Sequence, residues 1–311
     1  MLETWWNCDF GDILSGVQEK LQLKNKMDIP FLLMPVDEIQ ACAAPTGTKR
    51  QYIVAVTEGL RDKVFEDTNS TCIFDRSLEA MRRTYKCSDD LVFLRKALCI
   101  TTWLLVVGHE LGHVINGHLG DGVSLWFVKK EVSRLAWKPG DAITDEMRIY
   151  SVEEYDADVF PGVWAGILPS RLQITCDTKE DHDNLGMSLT CMAAQYLVTL
   201  LNTLGDGYPW YPPNSMRVIT MTSCFLYSYD HVQKTGELPE FRLVKIEVDP
   251  LVSDLKYRTA VREVTQDLDA AGFPRIPFNE DIIKEWLQTL NDFYPKVLQT
   301  HDKMQNMINS S

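Results

Sequence analysis

His109-Glu110-Leu111-Gly112-His113 closes an apolar run, and Glu154-Tyr155-Asp156-Ala157-Asp158 follows further along the chain. Two imidazoles at i and i+4 share one helix face and reach a single metal ion. Glu110 points beside that ion, where a carboxylate takes a proton from a bound water. Glu154 offers an oxygen as third protein ligand and leaves the fourth position to water, as hydrolytic zinc requires. Asp158 lies at i+4 from Glu154, on the same helix face. A ligating imidazole donates its other N–H to such a carboxylate, so Asp158 is expected on His109 or His113. Glu153 and Asp156 fall on other faces and are expected to be solvated.

The motif has to be weighed against accident. H-E-x-x-H arises by chance in roughly one chain in a hundred of this length, so its surroundings decide. Ala97 to Val107 reads Ala-Leu-Cys-Ile-Thr-Thr-Trp-Leu-Leu-Val-Val, apolar on all sides, which predicts a buried helix. Two His and a Glu at the end of such a helix need partners, because unpaired buried polar groups are costly. Glu154 has a second reading, since Ser151-Val152-Glu153-Glu154 also fits a capping box. His118 does not complete the three-His metzincin pattern, because Asn116 and Leu119 stand where that pattern needs Gly and His. It is expected beside the site or at the surface.

The elements that must hold these groups follow from periodicity. Residues 1–27 suggest a partly amphipathic helix. Ile29 to Val36 and Gln51 to Thr57 are strand-like, rich in apolar and β-branched residues. Leu91 to His118 is the long helix of the His pair, with a break expected near Gly108 or before Leu91. Gly120 to Asp145, with Trp126 and Phe127, reads as an insertion. Ser151 to Leu168 is the helix of Glu154, disturbed by Pro161-Gly162. Met187 to Leu204 is a buried helix. Phe241 to Val248 is expected to be a late strand, and Asn279 to Leu298 shows helical spacing of apolar residues.

Composition limits the function classes. The 311 residues include 45% hydrophobic ones, enough for a sizeable core, and carry a net charge of −13. That charge argues against nucleic acid and anionic membrane surfaces, which need a basic patch. No export signal is visible at Met1-Leu2-Glu3-Thr4-Trp5-Trp6. No membrane span is expected, because polar residues interrupt the apolar runs. The eight cysteines form no C-x-x-C pair and are expected to be reduced thiols in a cytoplasm.

These pieces resemble, in order, a gluzincin metallopeptidase of the HtpX and CaaX prenyl-protease class, in its soluble form. Ile39-Gln40-Ala41-Cys42-Ala43 resembles the segment that enters the family's sheet. Tyr52 to Leu60 resembles its edge strand and following turn. His109 to His113 with His118 matches the zinc helix, and Glu154 to Asp158 the third-ligand helix. Tyr211-Pro212-Pro213-Asn214-Ser215-Met216-Arg217-Val218 resembles a late His-Pro segment ending in Arg-Ile. Together they cover roughly residues 28 to 220. Gln40 stands where the family often has Asn, and Tyr211 where it has a His that is thought to help stabilise the oxyanion.

The resemblance implies a mostly helical α+β zincin-type peptidase with a small β-sheet beside the zinc helix. Zinc is implied on His109, His113 and Glu154, with Glu110 as general base and Asp158 orienting a ligand. Tyr211, Arg217 and His231 are candidates for the oxyanion, since a tyrosine O–H donates to such a charge too. Tyr208 to Pro213 also reads as a plain rigid loop. The strand Gln51 to Thr57 either takes an extended peptide substrate by strand addition or is ordinary sheet interior. The expected organisation is a peptidase domain over 1–235 and a C-terminal strand and helix packed on it over 236–311. Other classes stay open: a non-catalytic zinc-binding interaction protein, an amidohydrolase on a non-protein substrate, and a narrowly specific effector protease. The intact Glu110 speaks against the first, because a structural site has no use for a base.

Overall fold

The computed structural model describes residues 29–49, 51–70, 73–120, 138, 141–166, 174–202, 211–236 and 280–309. The helix expected over 1–27, the Trp126-Phe127 part of the insertion and the strand expected over Phe241 to Val248 lie outside them. Strands β1 (Phe31–Met34), β2 (Ala41–Pro45) and β3 (Tyr52–Thr57) come first. Helices α1 (Glu58–Phe65), α2 (Asp75–Thr84), α3 (Leu91–Ile115), α4 (Asp145–Ala165), α5 (Lys179–Asn202), α6 (Asn214–Thr235) and α7 (Glu280–Asn309) follow. The described chain is thus mostly helical, with one small mixed sheet, which agrees with the α+β expectation.

The sheet order is β1-β3-β2. β3 runs parallel to β1, with Val54 level with Phe31, and antiparallel to β2, with Val54 opposite Ala43. The strand at Gln51 to Thr57 is therefore sheet interior and has no free edge for a peptide. Its sequence explains this: Val54, Ala55 and Val56 are all buried, and a run apolar on both faces suits a covered central strand. Thr57 ends β3 and starts α1, its hydroxyl accepting from the N–H of Leu60 at 3.2 Å.

Helix α3 is the axis of the core. Asp90 caps it, its carboxylate accepting from the N–H of Phe93 at 2.9 Å. From Ala97 to Ile115 every residue but Ile100 is buried. Thr101 and Thr102 satisfy their hydroxyls on the carbonyls of Ala97 and Leu98, at 2.8 and 3.0 Å. Such back-bonding is how a hydroxyl survives inside an apolar helix. Each fully buried Leu, such as Leu98 or Leu94, contributes roughly 1.5–3 kcal/mol, and this helps offset the cost of burying charge at the helix end.

No break occurs at Gly108. Instead Gly108 and Gly112 form the contact with α4: a Cβ on Gly112 would lie 2.7 Å from the carbonyl oxygen of Ala157, and one on Gly108 2.8 Å from Cβ of Pro161. Pro161 also fails to break α4, which runs on to Ala165. Having no N–H, it leaves the Ala157 carbonyl without its usual i+4 donor, and that carbonyl is the one against Gly112. The two helices meet on small residues, and this close approach brings the His pair and Glu154 together.

Helix α4 also begins earlier than expected. Its N-cap is Thr144, which accepts from the N–H of Met147 at 3.3 Å. Ser151 is mid-helix and buried, so the capping-box alternative for Glu154 does not apply. α3 packs on one side of α4, while α6 and α7 pack around the others. Val152, Tyr155, Val159 and Val163 form a second core with Ile283, Trp286 and Phe293 of α7.

Candidate metal centre

Successive turns of α3 carry His109 and His113, with ring centroids 4.8 Å apart and planes at 90°. Their Nε2 atoms are 3.2 Å apart. Glu154 reaches across from α4, one oxygen 3.3 Å from His109 Nε2 and the other 3.5 Å from His113 Nε2. Metal–ligand bonds of roughly 2.0–2.1 Å in a tetrahedron set donor atoms about 3.3–3.4 Å apart. The two imidazole nitrogens stand close to that separation and the carboxylate approaches each of them with a different oxygen, so the cluster can hold a metal ion.

The electrostatics point the same way. Burial disfavours a charged His109, yet the Asp158 and Glu154 carboxylates outweigh it and push its pKa up to about 10. Burial likewise disfavours the Glu154 carboxylate, but His113 and His109 hold it well below the ordinary range. Positive charge is stabilised between these groups. Glu110, Glu153, Asp156 and Asp158 are buried as well, whereas Arg217 is the only buried Lys or Arg among the described residues. A divalent cation reduces that imbalance.

Asp158 sits behind His109, its Oδ1 accepting from Nδ1–H at 2.8 Å. This settles which imidazole it orients and leaves Nε2 facing the cluster. Arg217, on α6, grips the same carboxylate at both oxygens, Nε to Oδ2 at 2.7 Å and Nη2 to Oδ1 at 2.8 Å. Burial works to raise the Asp158 carboxyl, and Arg217, helped by His109, overcomes it and holds the group below the ordinary range. Two of the Arg217 donors are thus committed to Asp158, away from any oxyanion.

His118 is buried against His113, and the end of α3 explains how. Gly117 takes a left-handed conformation at φ 80°. The His118 N–H then bonds the His113 carbonyl at 3.0 Å, and the Gly117 N–H bonds the Val114 carbonyl at 3.2 Å. This is a Schellman ending. It folds the chain back so that His118 Nδ1 lies 3.0 Å from His113 Nδ1. His118 Nε2 lies 3.0 Å from Asp156 Oδ2, which also accepts from Asn116 Nδ2 at 2.8 Å. Tyr52 of β3 fastens the turn, donating its hydroxyl to the Gly120 carbonyl at 2.7 Å.

Asp156 and Glu153 are therefore not solvated; both are buried. The expectation of solvated faces failed because α3, α6 and α7 all pack on α4, and helical spacing does not reveal how many sides are covered. The glycine after the last apolar residue of α3 was the signal that placed His118: a C′ glycine sets the next residue over the final turn.

Glu110 follows His109 on α3 and is buried near enough to His109, Glu154, Arg217 and the backbone of Ala43 on β2 for each to act on its carboxyl. Burial pushes this carboxyl up to about 7. Glu110, His109 and His113 each keep 6–8% exposure, whereas Leu111 and Val114 between and beside them keep 1% or less. Tyr211 lies just before α6, half-buried against Met147 and Tyr150, with the Arg217 guanidinium 6.0 Å from its ring centre. His231 is at the other end of α6, stacked near Tyr227. It lies fourteen residues from Arg217, roughly 21 Å along the helix, and is not part of this cluster.

Glu154→Gln tests the third ligand directly. The helix should keep its stability, because Thr144 caps it. Metal affinity should fall by more than the roughly ten- to hundred-fold that loss of an outer partner costs, measured by chelator competition. Full retention of metal would remove Glu154 from the donor set.

Neither a protein-family model, nor a curated protein, nor a solved structure matches this chain.

Proposed function

We propose that this chain is a zinc-dependent endopeptidase of the gluzincin type, resembling the HtpX and CaaX prenyl-protease class, with zinc on His109, His113 and Glu154. The observation that carries the reading is the convergence of His109 Nε2, His113 Nε2 and the Glu154 carboxylate at 3.2–3.5 Å, with Glu110 beside them. Two imidazoles and one carboxylate are the donor set of several catalytic zinc sites. When bound, zinc polarises the scissile carbonyl and makes water a nucleophile at neutral pH.

The chain's own groups do the rest. Glu110 takes the proton of the attacking water at its carboxylate and passes it to the leaving amine. A carboxyl raised to about 7 by burial is matched to both halves of that task, accepting a proton near neutrality and giving it up again. Asp158 holds the His109 ring in the tautomer that frees Nε2, and Arg217 holds Asp158. Tyr211 is the candidate to donate to the oxyanion, since Arg217 is engaged.

Peptide recognition shifts from β3 to β2. β2 ends the strand order β1-β3-β2, and the backbone of Ala43 on that strand acts on the Glu110 carboxyl. An extended peptide added along β2 passes beside the general base.

The test is a cleavage assay on an unbiased peptide library, read as new N-termini by mass spectrometry. Zinc-loaded chain should generate new termini, chelator-stripped chain should not, and restored zinc should recover them. Zinc binding without cleavage in any library would favour a binding protein instead.

A further inference from the structure

The Asp156 carboxylate collects three donors from distant parts of the chain. Asn116 Nδ2 and His118 Nε2 reach Oδ2 at 2.8 and 3.0 Å, and the Tyr294 hydroxyl on α7 donates to Oδ1 at 3.2 Å. His118 in turn meets the ligand His113, Nδ1 to Nδ1 at 3.0 Å. A hydrogen bond between two ring nitrogens needs one N–H and one lone pair. If His113 binds zinc through Nε2, its Nδ1 carries the proton, and His118 Nδ1 is the acceptor. The proton of His118 is then on Nε2, facing a carboxylate that can only accept. Each bond from Tyr294 to His113 then has one donor and one acceptor: Tyr294 and His118 both donate to Asp156, and His113 Nδ1–H donates to His118, which leaves the His113 Nε2 lone pair for the metal.

We propose that Tyr294 is a positioning residue for the metal ligand His113, acting through Asp156 and His118, so that the C-terminal helix is part of the metal centre. This rests on the zinc reading above. The tyrosine fixes the carboxylate by occupying the oxygen that His118 does not use. Its helix is held in place independently: Trp286 packs on Tyr155 with ring centroids 6.0 Å apart, and Phe293 is buried in the same cluster. Tyr294→Phe therefore removes one hydroxyl and leaves the helix docked.

The experiment measures zinc affinity of the full chain by chelator competition, for the parent, Tyr294→Phe, His118→Phe and the double variant. Outer partners of a ligating histidine are worth roughly ten- to a hundred-fold in metal affinity. Tyr294, two bonds beyond His118, should cost less, about three- to tenfold. In the His118→Phe background the same change should shift affinity less than about twofold, the scatter expected of uncoupled sites. An equal loss in both backgrounds would mean a general structural effect and overturn the proposal, as would an unchanged affinity in Tyr294→Phe alone. Cobalt-substituted protein gives a second reading that does not depend on the His118 variant. The visible bands of Tyr294→Phe should shift from the parent's, and superimposable spectra overturn the proposal. A parent chain that binds no zinc overturns the metal reading and this inference together. A parent that binds zinc through His113, with Tyr294→Phe at parent affinity, overturns this inference alone.

Discussion

Glu110→Gln is expected to lower peptide hydrolysis by roughly ten-thousand-fold, the upper end for loss of a general base, while zinc content stays at the parent level. The amide has the size of the carboxyl but cannot take a proton from water. Folding should tolerate it well. Burial already pushes the Glu110 carboxyl up to about 7, so a neutral group there gives up little charge stabilisation. The comparison needs kcat/KM on one cleaved peptide for both proteins, with metal content measured on the same samples. A variant that cleaves at near the parent rate would show that the proton goes elsewhere.

The second large effect is on stability. Arg217→Met should destabilise the fold by about 3–5 kcal/mol, the cost of leaving one member of a buried ion pair uncompensated. Arg217 and Asp158 are both almost fully buried, at 4% and 0% side-chain exposure, and joined by two hydrogen bonds. Removing the guanidinium leaves the Asp158 carboxylate, among the described residues, with His109 alone. Adding Asp158→Asn should restore a large part of the loss, because the amide is neutral and its oxygen still accepts from His109 Nδ1–H. Thermal unfolding of the metal-free proteins separates the outcomes. Single and double variants that melt together would mean that the pair is not what the site depends on.

What could be read from the chain divides by distance along it. His109, His113 and Glu110 are coded within one helical turn, and Glu154 and Asp158 within another, so spacing alone groups them. The meeting of the two turns rests on Gly108, Gly112 and Pro161, which in sequence look like breaks. They are contacts, because an apolar helix pressed against another gains from a missing side chain. Asp156 was unreadable for the opposite reason. Its carboxylate is met by the end of α3 and by Tyr294 of α7, and no local pattern announces partners so far along the chain. The sheet shows the same limit: apolar runs reveal strands, but not that β3 lies between β1 and β2. Helices α1, α2 and α6 were passed over as well. α6 is buried through its first half, so it lacks the polar stripe that makes an amphipathic helix visible. Arg217 was legible as part of a late motif, but its pairing with Asp158, on another helix, was not.

The long reach of the Asp156 contacts has a consequence in time. Tyr294 follows Asp156 by 138 residues. A ribosome adding roughly 5–20 residues per second exposes the aspartate about 7–28 s before the tyrosine that completes its hydrogen bonds. His118, Asn116 and Asp156 are all made by then, so a growing chain can pass through a stage in which three of these four groups are assembled and the last is still to come. The Tyr294 bond to Asp156 is made only after 138 further residues have been added.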